Sequence, residues 1–102
     1  MENLYYEILL AKDGDAIANE NIIKHYNKYI TFMINRYEII DKKNCYDEVK
    51  RNILKAIQKI KISVGVVYRS EREKKAFCSF YFQHIDKYTS FFSVIASYKT
   101  KQ

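Results

Sequence analysis

The chain has 102 residues, of which 48% are hydrophobic and 29% are charged, and this balance excludes a disordered chain and predicts one globular domain. It contains no proline and only two glycines, so the residues that build tight hairpin turns are nearly absent and a β-rich fold is disfavoured. The net charge of +6 and the isoelectric point near 9.3 favour an anionic partner such as nucleic acid.

Hydrophobic periodicity predicts an all-α, single-domain bundle of about four helices over the whole chain, 1–102. The predicted helices cover residues 3–11, 16–38, 45–61 and 71–98. Between the first two, Gly14 can adopt the left-handed conformation that ends a helix, and Asp15 can cap the next one.

The third predicted helix has the clearest amphipathic pattern. Its apolar positions recur every three or four residues: Val49, Ile53, Ala56, Ile57 and Ile60. Its polar positions face outward: Glu48, Arg51, Asn52, Lys55, Gln58 and Lys59. We expect Asn44 to cap this helix and Asp47 and Glu48 to lie in its first turn, where the helix dipole favours negative charge.

The last predicted helix follows a segment, residues 63–70, that we interpret as a loop because no second strand candidate could pair with it. Ser70 is its predicted cap, with Glu73 at capping-box spacing. Residues near Thr89 weaken helix propensity, so a break there is compatible with the sequence. Four apolar residues are predicted to be core: Phe77, Phe80, Ile85 and Ile95. For Tyr88, Phe91, Phe92 and Tyr98, core and exposed positions both remain open.

Catalytic motifs are absent from the sequence, and we expect neither enzymatic activity nor a cofactor. Cys45 and Cys78 lack metal-site or redox spacing and are predicted to be small buried hydrophobes. His25 and His84 are isolated, so no metal site is expected. His84 lies among aromatic residues and is expected to be a hydrogen-bonded histidine at the core edge. With no signal-like or membrane-spanning apolar run, the sequence favours a reducing cytoplasm and no membrane association.

Aromatic residues are interleaved with two lysines, Lys87 and Lys99, along the last helix. Exposed rings beside cations can stack on unpaired bases, which contributes about 1–3 kcal/mol per base. The candidate nucleic-acid-binding residues are Tyr81, Lys87, Tyr88, Phe91, Phe92 and Lys99.

An ordered set of short motifs resembles region 2 of the sigma-70 family. These are AKDGD at 11–15, IIKHY at 22–26, NRY at 35–37, NCYDE at 44–48 and ILKAIQKI at 53–60. The chain is most similar in appearance to the small helix-turn-helix proteins of conjugative transposons and to the divergent sigma factors that control clostridial toxin genes.

The resemblance implies docking on the clamp helices of the RNA polymerase β′ subunit and contact with promoter DNA. By motif position, the implied polymerase-binding residues are Asp47, Glu48, Arg51, Lys55 and Gln58. The implied base-capturing aromatics are Tyr81, Tyr88, Phe91 and Phe92. The sequence therefore favours a transcription regulator that binds polymerase core, promoter DNA or both. A helical protein–protein interaction module, either a homodimer or a toxin–antitoxin-like partner, is the alternative.

Overall fold

The structure of the chain is a computed structural model that describes residues 2–60 and 70–100, with side chains from Leu4 onward. Every regular element in these ranges is a helix: α1 Glu2–Lys12, α2 Ala16–Arg36, α3 Lys42–Lys59, α4 Glu71–Thr89 and α5 Phe91–Thr100. The prediction of an all-α bundle is confirmed. The predicted loop at 63–70 lies outside the described residues except for Ser70.

The caps of α2 and α4 were predicted correctly. Gly14 has φ of 94°, and the Asp15 carboxylate accepts a 2.8 Å hydrogen bond from the backbone N–H of Ala18. The Ser70 hydroxyl oxygen accepts from the backbone N–H of Glu73 at 3.3 Å and donates to the Glu73 carboxylate at 3.3 Å. Local side-chain chemistry thus fixes where these two helices begin.

The predicted start of α3 was wrong. The helix begins at Lys42, three residues earlier than expected, and Asn44 lies inside it, donating a 2.9 Å hydrogen bond to the Asp41 carboxylate. Asp47 and Glu48 consequently lie beyond the first turn, which holds no acidic residue. Asn44 thus bonds to a side chain three residues earlier instead of capping the helix, and Ile39 of the connector before it is buried in the core.

The long helix predicted at 71–98 is divided at Ser90, which has φ of 56° and is the C-cap of α4. The preceding Thr89 is fully buried, and its carbonyl oxygen accepts a 3.4 Å hydrogen bond from the Asn52 amide of α3. The break lets α5 turn back onto α3, so that Phe91, Val94 and Ile95 join the core.

The core is continuous and draws on all five helices and on Ile39 of the α2–α3 connector. The predicted stripe of α3 is buried throughout: Val49, Ile53, Ala56, Ile57 and Ile60. Phe80 is a correction, because it was predicted to be core and its side chain is 55% exposed. It lies on the side of α4 away from the buried row of Cys78, Tyr81 and Ile85.

No helix within residues 2–60 and 70–100 combines the length and the apolar character that a membrane crossing needs.

Candidate protein and nucleic-acid interfaces

The five predicted polymerase-binding residues share one side of α3. At about 100° per residue they fall within roughly 100° of arc around the helix axis. Asp47 and Glu48 are half-buried, whereas Arg51, Lys55 and Gln58 are exposed. These five residues, Asp47, Glu48, Arg51, Lys55 and Gln58, are called the α3 stripe below.

Neighbouring contacts border the α3 stripe without using its charges. On one side Lys50 pairs with Glu20 of α2 at 3.4 Å. On the other side the Tyr98 hydroxyl of α5 donates to the carbonyl oxygen of Asn44 at 3.3 Å. In the described part of the chain, none of the four charged side chains of the stripe has an intramolecular ion pair. The stripe therefore presents both signs of charge to an external partner.

The end of α5 lies beside the α3 stripe, as the electrostatics of Tyr98 indicate. Burial, followed by the carboxylates of Glu48 and Asp41, raises the pKa of Tyr98, whereas the Arg51 guanidinium acts in the opposite direction. Glu48 and Arg51 thus act on the same phenol from α3.

Tyr88 is exposed and flanked by cations from two helices. Its side chain is 45% exposed, and the ammonium nitrogens of Lys59 and Lys87 lie 5.8 and 5.9 Å from its ring centroid. Such distances allow cation–π attraction. Lys59 follows Lys55 by four residues, so it extends the α3 stripe along the helix toward this ring.

Two further aromatic rings continue from Tyr88 along α4. The ring centroids of Phe80 and His84 are 4.1 Å apart, and those of His84 and Tyr88 are 6.2 Å apart. His84 Nδ1 also lies 3.1 Å from the carbonyl oxygen of Phe80, which agrees with the expected hydrogen-bonded histidine at the core edge. These three residues with Lys87 and Lys59 are called the Tyr88 flank.

Tyr81 and Phe91 are corrected as nucleic-acid-binding candidates. Tyr81 is fully buried and Phe91 is nearly so, and a ring packed in the core cannot stack on a base. Tyr81 packs between Phe77 and Phe82, and Phe91 packs against Tyr26 and Tyr29. The helical period directs both rings inward because α4 and α5 each need an apolar side facing the bundle.

The remaining candidates of the last two helices are exposed but dispersed. Phe92 is 65% exposed, and Lys87 belongs to the Tyr88 flank. The Lys99 ammonium lies 5.3 Å from the ring centroid of Tyr37, at the end of α2. Lys87 and Tyr88 are therefore the predicted residues that the structure brings together around one exposed ring.

Sequence reasoning missed three members of the Tyr88 flank. Lys59 was recognised as outward-facing but not as part of a site, and Phe80 and His84 were assigned to the core and its edge. The spacing of Phe80, His84 and Tyr88 by four residues predicts a single row on a helix. The contribution of Lys59 depends on how α3 and α4 pack.

Both cysteines are buried, as predicted. Burial raises the pKa of the Cys78 thiol, and burial together with the carboxylates of Glu48 and Asp41 raises that of Cys45. Raised thiol pKa values disfavour the reactive thiolate. Within the described ranges, no group of three or more His, Cys, Asp or Glu side chains could hold a metal ion.

Comparisons of the chain with protein-family models, with curated proteins and with solved structures found no match.

Proposed function

We propose that this chain is a transcription regulator resembling sigma region 2, which binds RNA polymerase core through the α3 stripe and contacts DNA through the Tyr88 flank. A mobile element is the proposed genetic setting, following the same resemblance. The observation that carries the proposal is that α3 presents five polar side chains on one side, with Lys59 linking them to an exposed, lysine-flanked tyrosine.

The α3 stripe supports a protein partner because it carries charges of both signs, acidic at its N-terminal end and basic further along the helix. Glu48 and Arg51 are three residues apart and lie on the same part of the helix surface. A partner with the complementary pattern would engage both, and charge complementarity of this kind sets specificity and register. Reversal of either charge would place like charges opposite each other.

A pull-down of tagged chain with bacterial RNA polymerase core tests the protein contact. We expect wild type to retain core, and Glu48→Lys and Arg51→Glu to lose it. The matched controls are Asp13→Lys and Lys28→Glu, which reverse exposed charges on other helices or connectors and should retain core. Circular dichroism checks that every variant remains helical. Loss of core by the controls, or retention by both stripe variants, would overturn this part of the proposal.

The Tyr88 flank supports a contact with unpaired nucleic acid. An exposed ring offers a stacking face, and Lys59 and Lys87 supply the positive charge that attracts the phosphate backbone. Fluorescence anisotropy with a labelled single-stranded oligonucleotide at fixed salt measures this contact. If the chain binds the oligonucleotide no more strongly than an equally basic helical control protein does, the proposed nucleic-acid contact is contradicted.

A second candidate function is a helical protein–protein interaction module, either a homodimer or a toxin–antitoxin-like partner. The observation in its favour is the row of Phe80, His84 and Tyr88, in which Phe80 is 55% exposed. Exposed apolar residues in a row are typical of association surfaces. Sedimentation at high micromolar concentration tests the homodimer, and a strict monomer would count against it.

A further inference from the structure

A cavity opens between α2 and α4, away from the α3 stripe. Its volume is about 290 Å³, and its lining residues are His25, Tyr26, Tyr29 and Asp86. This is close to the lower end of the roughly 300–1,000 Å³ range of small-molecule sites, so it suits a ligand of only a few heavy atoms.

The aromatic walls of the cavity are held in place by rings behind them. His25 stacks on Phe82, with centroids 4.5 Å apart and planes at 25°. Tyr29 meets Phe91 edge to face at 5.3 Å, and Tyr26 packs against Phe91 at 5.8 Å. The walls therefore present aromatic surface that packing within the bundle has already ordered.

Two oxygen-bearing side chains, those of Asp86 and Tyr26, line the cavity. Asp86 has no ion pair with any lysine or arginine among the described residues. The Tyr26 side chain is only 6% exposed, and its buried hydroxyl lies close to the carboxylate of Asp86, which is itself exposed.

Electrostatics place these two groups close together. Burial, followed by the nearby Asp86 carboxylate, raises the pKa of Tyr26. Burial also raises the pKa of Asp86, whereas Tyr26 and His25 act in the opposite direction. The exposed carboxylate is thus close to a phenol and an imidazole, and no lysine or arginine of the described chain forms an ion pair with it.

We propose that this cavity binds a small organic cation that carries N–H donors, an alkylammonium or an alkylguanidinium. Aromatic faces attract such cations, and the Asp86 carboxylate would accept charge-assisted hydrogen bonds from them. An anionic ligand would be repelled by Asp86, and a neutral apolar ligand would gain no charge-assisted hydrogen bond from the carboxylate. The site is separate from both surfaces used in the proposed function, and its test does not depend on polymerase or DNA.

Titration of the full chain with n-butylammonium and with N-ethylguanidinium, followed by NMR, tests the proposal. We expect saturable shifts of the His25 and Tyr29 ring signals. Asp86→Asn, which keeps the shape of the side chain, should weaken binding by about tenfold or more, because charge-assisted hydrogen bonds are lost. Asp13→Asn, which removes an exposed carboxylate outside the cavity, should bind as wild type does.

Two other probes separate the contributions of charge and hydrogen bonding. Neutral n-butanol should cause no saturable shift, and tetramethylammonium, which lacks N–H donors, should bind more weakly than n-butylammonium. A blocked arginine, Nα-acetyl-arginine methylamide, distinguishes the two sources of such a cation. Tighter binding than that of N-ethylguanidinium identifies a protein side chain as the ligand, and weaker binding identifies a free small molecule, both in agreement with the proposed chemistry.

Three results would overturn the proposal: equal binding of n-butanol, tetramethylammonium binding as tight as n-butylammonium, or Asp86→Asn binding at wild-type strength. Should Asp86→Asn fail to fold, Tyr29→Leu replaces it. That variant removes an exposed ring from the cavity wall and should weaken the binding of both cations several-fold. Unchanged binding would also overturn the proposal.

Discussion

Asp86 and Tyr88 are two residues apart in α4, yet they belong to surfaces of opposite character. Asp86 lines the aromatic cavity against α2, whereas Tyr88 lies against Lys59 of α3. The buried row of α4, which includes Tyr81 and Ile85, runs between them. Two residues of an α-helix span about 200° of rotation, so the period alone separates the two groups. This segment of α4 therefore contributes to two surfaces. One is the cavity side around Asp86, called the acidic flank below, and the other is the Tyr88 flank with its lysines.

The largest expected effect comes from Ile85→Ala, which should disturb both flanks at once. Ile85 is fully buried on the side of α4 that separates Asp86 from Tyr88. Loss of its buried side chain should lower the free energy of unfolding by about 2–5 kcal/mol. Urea unfolding measures this change. Ile17→Ala, at an exposed position of α2, is the control and should change stability by only about 0.5 kcal/mol. Equal effects of the two variants would contradict the assignment of Ile85 to the core.

Tyr88→Ala should affect the Tyr88 flank alone. If the proposed DNA contact is correct, loss of the ring weakens binding of a single-stranded oligonucleotide by about 1–3 kcal/mol. Tyr6 offers a matched control because it is 46% exposed and has the Lys74 ammonium 5.3 Å from its ring centroid. Tyr6→Ala should leave binding unchanged in the same anisotropy assay. Similar losses in both variants would show that exposed tyrosines contribute without regard to position.

Tyr81→Phe probes the core row between the flanks. The Tyr81 ring is fully buried, and its hydroxyl has no hydrogen-bond partner among the described residues. Removal of an unsatisfied buried hydroxyl should raise the free energy of unfolding by about 1 kcal/mol. Tyr29→Phe, at an exposed ring, should have almost no effect on urea unfolding. Clear destabilisation by Tyr81→Phe would mean that the hydroxyl has a partner in solution.

The smallest expected effect is a pH dependence of the free energy of unfolding, which arises from Asp86 on the acidic flank. Burial raises the pKa of Asp86 above its ordinary value of 3.8, so the native state holds this proton more tightly than the unfolded state does. The stability that this carboxyl contributes is present below about pH 3.8 and is lost as the pH rises through the folded pKa. Asp86→Asn should remove that loss when unfolding is measured between pH 3 and 7. Lys87→Gln, on the opposite flank, should retain the wild-type pH profile, and an unchanged profile in Asp86→Asn would contradict the interpretation.

Local signals in the sequence predicted the fold well where the chemistry is short-range. Asp15 and Ser70 cap their helices as expected because an N-cap depends on hydrogen bonds to residues three positions away. The buried stripe of α3 followed from its three- and four-residue period. The start of α3 was misplaced because Asn44, the expected cap, lies inside the helix and bonds to the Asp41 carboxylate.

The sequence by itself determined that α3 has a polar side and that α4 is rich in rings and charges, because helical period and composition are properties of neighbouring residues. Only the tertiary structure decided that Tyr81 and Phe91 are buried while Phe80 is exposed, since an aromatic helix offers more apolar surface than one packing face can cover. Only the packing of α3 beside α4 brought Lys59 to Tyr88, and only the tertiary structure placed Asp86 of α4 beside the aromatic rings of α2. Both contacts join residues 29 or more positions apart, over which local sequence pattern carries no information about distance.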